Sequence, residues 1–192
     1  MPAANPKRWL SLDTGIAVRL GERVETSHLF CELAQERGFK LFLVPTALAE
    51  LECHSRQASG ALQRAASHVL ECRKAWGIHC ALPAKPDFNR HTEWLVAKLR
   101  SKGYIPVLER RDSLILAEAA VARIPILVAA DIPYDTDNAA LAYSLAELGE
   151  FPVAIFKPSN CVLSGCDEVV DSMPRADSAW GLSKAERSFS VF

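Results

Sequence analysis

Four short, mainly apolar runs, Trp9–Leu12, Lys40–Val44, Ile124–Val128 and Pro152–Phe156, stand apart along the chain with helix-forming stretches between them. A strand that is apolar on both faces has to be covered on both, and such strands separated by helices build a parallel sheet between two helical layers. The expected fold class is therefore a three-layer α/β/α domain around a central, mainly parallel sheet. It spans residues 8–157, and residues 158–192 have no sustained period and read as an irregular C-terminal extension.

The stretches between the runs give the helices. After Trp9–Leu12, Asp13-Thr14-Gly15 reads as a turn, and Val24, His28, Leu29, Leu33 and Ala34 then recur at helical spacing up to Gly38. Pro45 fits a first helical turn and opens the Ala-Leu-Ala-Glu-Leu-Glu run. Further helices are expected over about 60–76, 91–99, 113–122 and 139–148, with Asp112 placed to cap the third and Gly149 to close the last. Residues 104–108 read as extended chain or a loop.

A chain of 192 residues with 49% hydrophobic content can bury one substantial core without staples. None of its six cysteines forms a Cys-x-x-Cys pair, so a reduced, cytoplasmic protein is expected. The same lack of paired, short-spaced ligands sets aside a zinc site between Cys53 and Cys80, although His68 and Cys72 stand one helical turn apart. The longest apolar stretch, 114–130, is interrupted by Glu118, Arg123 and Pro125, which argues against a membrane span. The first residues lack the apolar centre of a secretory signal.

A net charge of -1 conceals a division: residues 53–111 carry a balance of +7 and residues 112–192 one of -7. The basic segment can offer a face to phosphates if helical spacing gathers its charges, or it can be an ordinary solvated surface.

The positions of particular acids are more informative. Asp13 ends the first strand, Glu50 stands in the second turn of the helix after the second strand, Asp112 begins a helix and Asp131 ends a later strand. Taken singly, Asp13 and Asp112 read as caps, Glu50 as a surface residue and Asp131 as a turn residue. In an open parallel sheet, however, all four positions fall at the carboxyl edge, where ligands bind. Four carboxylates there repel one another unless hard cations neutralise them, and Mg²⁺ or Mn²⁺ among oxygen ligands suits phosphate ester hydrolysis.

The strings Leu-Asp13-Thr-Gly, Val-Pro-Thr-Ala-Leu-Ala-Glu50-Leu-Glu and Arg-Asp112-Ser-Leu-Ile-Leu-Ala-Glu-Ala-Ala-Val-Ala-Arg-Ile-Pro-Ile-Leu-Val-Ala-Ala-Asp131, in this order and spacing, resemble a PIN-domain nuclease, the fold of VapC-type toxins. The resemblance covers about residues 8–157. It implies an endoribonuclease that hydrolyses RNA with a metal-activated water, using Mg²⁺ or Mn²⁺. Asp13, Glu50, Asp112 and Asp131 would be its catalytic and metal-binding acids, and Thr14, Arg110 and Arg111 its substrate contacts. The basic middle segment would track RNA phosphates. The resemblance also implies a homodimer and, if the chain is the toxin of a toxin–antitoxin pair, a small antitoxin protein covering the pocket.

The chain departs from that pattern in places. Ala129 stands where a Ser or Thr commonly precedes the last acid by two residues, and Asp135 and Asp137 lie close enough in sequence to replace or supplement Asp131. Glu52 is too near Glu50 on one helix to share its face. Two other functions compete. A member of the same fold could bind RNA or protein without cutting. Asp13-Thr14-Gly15 is also an aspartic protease signature, but that enzyme needs a β-rich domain, which the helical periods oppose. No Gly-x-Gly-x-x-Gly string follows any strand, which removes a dinucleotide-binding enzyme.

Overall fold

The computed structural model describes residues 8–36, 38–81, 87–104, 110–129 and 138–156. Their elements are, in order, β1 (Trp9–Leu12), α1 (Thr14–Glu22), α2 (Val24–Glu36), β2 (Lys40–Leu43), α3 (Pro45–Gln57), α4 (Gly60–Cys72), β3 (Ile78–Cys80), α5 (Phe88–Ser101), α6 (Arg110–Val121), β4 (Ile126–Val128), α7 (Asn138–Glu147) and β5 (Ala154–Phe156). The extension over 158–192, the loop residues 105–108 and the acids Asp131, Asp135 and Asp137 lie outside the described residues.

The five strands form one all-parallel sheet in the order β3-β2-β1-β4-β5. In the central strand Leu10, Ser11 and Leu12 are fully buried although they alternate between faces, and every residue of β4 is buried as well. Both faces are therefore covered by helices, as the unalternating apolar runs require.

The sequence reading differs from the structure at several places. Thr14 and Gly15 belong to a helix rather than a turn: the Asp13 carboxylate accepts the Ile16 N–H at 2.7 Å, and α1 starts at once. The three-residue strand β3 adds an edge that no apolar run announced, pairing Leu41 with Ile78. Helix α5 begins at Phe88 rather than near residue 91. Helix α6 begins at Arg110, so Asp112 lies inside its first turn instead of capping it.

Two packing features fix the elements around the carboxyl edge. Gly21 of α1 lies so close to α4 that an added Cβ would stand 2.1 Å from the Ala65 carbonyl oxygen. Helix α6 is buried at Ser113 and at every position from Ile115 to Ala120, so it is an interior helix, and it contacts α3, α5 and β4. It ends with Arg123 in the left-handed region (φ 58°), where the N–H groups of Arg123 and Ile124 reach the carbonyls of Ala120 and Ala119.

Candidate active site

The strand order reverses direction between β1 and β4, and at such a switch point the loops leaving the sheet diverge and open a crevice. Asp13 sits at that point: its backbone N–H donates to the Val128 carbonyl at 2.9 Å, joining the ends of β1 and β4. Its carboxylate is held by the first turn of α1, and Thr14 follows as the first helical residue.

Glu50 arrives from the neighbouring strand. β2 ends at Leu43, Pro45 occupies the first turn of α3, and Glu50 lies in the second turn with its side chain 14% exposed. Asp112 arrives from α6, whose first turn lies at the same edge because the helix leads back into β4. The contacts between these segments are direct. The Thr14 hydroxyl donates to one Glu50 oxygen, and Arg111 Nη1 donates to the other at 3.2 Å. Residues adjoining Asp13 and Asp112 thus both touch Glu50, bringing the three acid-bearing segments to one place.

The expected substrate contacts separate. Arg111 points its guanidinium to Glu50 and is 70% exposed, whereas Arg110 pairs with Glu93 of α5 at 2.7 Å. Glu52 faces elsewhere, bound to Arg56 at 2.9 Å. Of the other cations of the basic segment, Arg56 lies on α3, Arg64 on α4 and Arg90, Lys98 and Arg100 on α5, and Lys102, just past α5, pairs with Glu147 at 2.9 Å.

Sequence reading missed Glu118 and Thr46. Glu118 of α6 is only 4% exposed, and its two oxygens accept the Thr46 backbone N–H at 2.8 Å and the Thr46 hydroxyl at 2.7 Å. Burial pushes its carboxyl above the ordinary glutamate range; the two bonds from Thr46 pull it back, and the charge of Glu50 adds to the rise. The available signal was a single acid in an otherwise apolar helical run, Ile115–Ala120.

Asp13, Glu50 and Asp112 are hard oxygen donors with no thiolate or imidazole interleaved, which is the donor chemistry of Mg²⁺ or Mn²⁺. Among the described residues no three His, Cys, Asp or Glu side chains are already gathered as a cage, and Asp131, the fourth expected acid, is not among them. The positive charge facing Glu50 comes from Arg111. The donor types fit a divalent ion, and Glu50 is already directed at a cationic group.

No protein-family model and no curated protein sequence matches the chain. Among solved structures it is similar to VapBC2 from Rickettsia felis, solved bound to a DNA fragment from their promoter, at 17% identity and a TM-score of 0.52, over 79% of this chain and 99% of that one. VapBC-1 from nontypeable Haemophilus influenzae aligns at 14% identity and a TM-score of 0.46, over 78% of this chain and 97% of that one. At these identities the likeness is one of fold.

Proposed function

We propose that this chain, whose fold is VapC-like and of the PIN type, is a metal-dependent endoribonuclease with Asp13, Glu50, Asp112 and Asp131 as its acids. The observation that carries the reading is the contact chain Thr14–Glu50–Arg111, which draws together at the sheet's switch point the segments bearing three of those acids. The nuclease domain is taken as residues 8–157.

Asp13, Glu50, Asp112 and Asp131 would hold the Mg²⁺ or Mn²⁺. A bound ion would make water more acidic and offset the charge of a phosphodiester. The chain's own side chains do the positioning. The Thr14 hydroxyl orients Glu50, the Ile16 N–H fixes Asp13, and the exposed Arg111 guanidinium is available to a phosphate oxygen at the rim. An aspartic protease is ruled out by the sheet, which is parallel and helix-covered rather than β-rich.

The test is cleavage of a mixed RNA pool with Mn²⁺, Mg²⁺ or EDTA, comparing the wild type with Asp13→Asn and Asp112→Asn. Expected is metal-dependent cutting that falls at least about a hundredfold in each variant. Equal inertness of all three folded proteins would favour the second reading, a non-catalytic PIN-like module that binds RNA or protein. Ala129 supports that alternative, since it is buried and offers no hydroxyl where the fold commonly has one.

A toxin role, an antitoxin partner and a homodimer belong to the same proposal. Co-expression with the neighbouring reading frame, followed by light scattering, tests them together. A single monomeric chain recovered alone would count against both partners.

A further inference from the structure

We propose that Glu118 is a positioning residue of the acidic pocket, clamping the first turn of α3 so that Glu50 is held against the α6 turn that bears Asp112. The functional half of this assignment rests on the nuclease reading.

Helix α3 lacks a cap of its own. Val44 at the N-cap has no side-chain oxygen, and Pro45 has no N–H, so Thr46 carries the first of the backbone donors that a helix start leaves unpaired. Glu118 supplies the missing acceptor from 72 residues away, with one oxygen on the Thr46 N–H and the other on its hydroxyl. Negative charge is favoured at this end of a helix, which offsets part of the cost of burying the carboxylate.

The geometry joins this clamp to the site at both ends. Thr46 and Glu50 are four residues apart on α3 and so lie one above the other on one helical face. On α6, Asp112 precedes Glu118 by six residues of one helix, which is buried from Ile115 to Ala120. Glu118 therefore ties together, from the buried side, the two helices that deliver Glu50 and Asp112, which the exposed Arg111–Glu50 contact joins at the rim. Glu118 bonds to Thr46 and not to Glu50, so its action passes through the backbone of α3.

The experiment uses the full-length protein as Glu118→Ala, Glu118→Gln and Thr46→Val, with Ile78→Val on the far edge strand as a control for lost stability. Amide exchange at Thr46 and calorimetric Mn²⁺ affinity are measured for each. In Glu118→Ala the Thr46 amide is expected to exchange at least tenfold faster and Mn²⁺ to bind about tenfold more weakly, the low end of what supporting groups around a metal contribute. Glu118→Gln should restore most of both, since its carbonyl accepts the N–H while its amide donates to the Thr46 hydroxyl. If Glu118→Ala does not fold, Thr46→Val carries the test, with weaker Mn²⁺ binding and KM for RNA unchanged as kcat falls.

Unaltered Mn²⁺ affinity in Glu118→Ala or Thr46→Val, with affinity lost in Asp13→Asn, would overturn the clamp and leave the nuclease reading standing. An equal loss in Ile78→Val would reduce it to general stability. Absence of Mn²⁺ binding in the wild type itself would sink the nuclease reading and the functional half of the clamp with it, whatever the exchange at Thr46.

Discussion

Arg111 Nη1 lies 3.2 Å from a carboxylate oxygen of Glu50, with the arginine 70% exposed and the glutamate 14% exposed. Surface pairs of this kind are worth between nothing and about 1 kcal/mol, so the guanidinium can leave at little cost. Glu50, in contrast, is fixed by Thr14 and by its place on α3.

Arg111→Gln is therefore expected to change stability by less than about 1 kcal/mol and to weaken RNA binding several-fold. Removing one phosphate contact should also flatten the plot of log affinity against log salt by about 0.7, the single-strand value. Arg110→Gln should do less, because Glu93 already offsets its charge at 2.7 Å. Binding titrations of single-stranded RNA at four salt concentrations check this, and equal slopes for wild type and Arg111→Gln would remove Arg111 from the substrate path.

Glu118 gives a pH dependence with a definite sign. Its carboxyl titrates above the ordinary glutamate range, mainly through burial, so the folded state holds that proton more tightly than the unfolded chain. The stability this provides is fully present below the unfolded value and is lost as pH rises through the raised one. Glu118→Gln cannot titrate. The melting temperature of Glu118→Gln minus that of the wild type should thus climb as pH rises from the ordinary glutamate range, then level off. Thermal melts at half-unit steps from pH 4 to 8 check it, and a flat difference refutes it.

The apolar runs made four of the five strands legible, because strands buried on both faces cannot alternate. Strand β3 escaped for the opposite reason: it is three residues at the sheet's edge, with His79 exposed and Cys80 half-buried. The start of α6 escaped because Arg110 and Arg111 lie outside the apolar period while still inside the helix. Asp13, Glu50 and Asp112, the acids of the proposed site, were legible as residues near the ends of strands and helices. Glu118 was not, since its partner is 72 residues away and only tertiary packing puts the two together. Asp131 lies outside the described residues.

Two helix ends with the same hydrogen-bond pattern differ in one residue. Helix α7 closes on Gly149 (φ 77°) and α6 on Arg123 (φ 58°), and in each case the N–H of that residue and of the next one turn back onto carbonyls of the last helical turn. A left-handed conformation costs a residue with a Cβ about 1–2 kcal/mol, part of which glycine returns as extra freedom in the unfolded chain. Arg123→Gly is accordingly expected to stabilise by roughly 0.5–1 kcal/mol, visible as a melting temperature higher by about 1–4 °C. A lower melting temperature would mean that Arg123 makes a compensating contact.

Gly21 ties packing to the site. A methyl group there would meet the backbone oxygen of Ala65 at 2.1 Å and a Val69 methyl at 2.9 Å, and backbone cannot step aside as a side chain can. Helices α1 and α4 would have to separate, at a cost of about 1–3 kcal/mol typical of overpacking. Helix α1 starts at Thr14, which follows Asp13 and holds Glu50, so the shift should propagate to the pocket. Gly21→Ala should therefore lower the melting temperature by several degrees and also reduce kcat, whereas Ile78→Val, a mild core truncation at the far edge strand, should reduce stability alone. Melting curves and initial rates on one RNA substrate separate the two effects. Full activity in a destabilised Gly21→Ala would show that Thr14 keeps its hold on Glu50 when α1 moves.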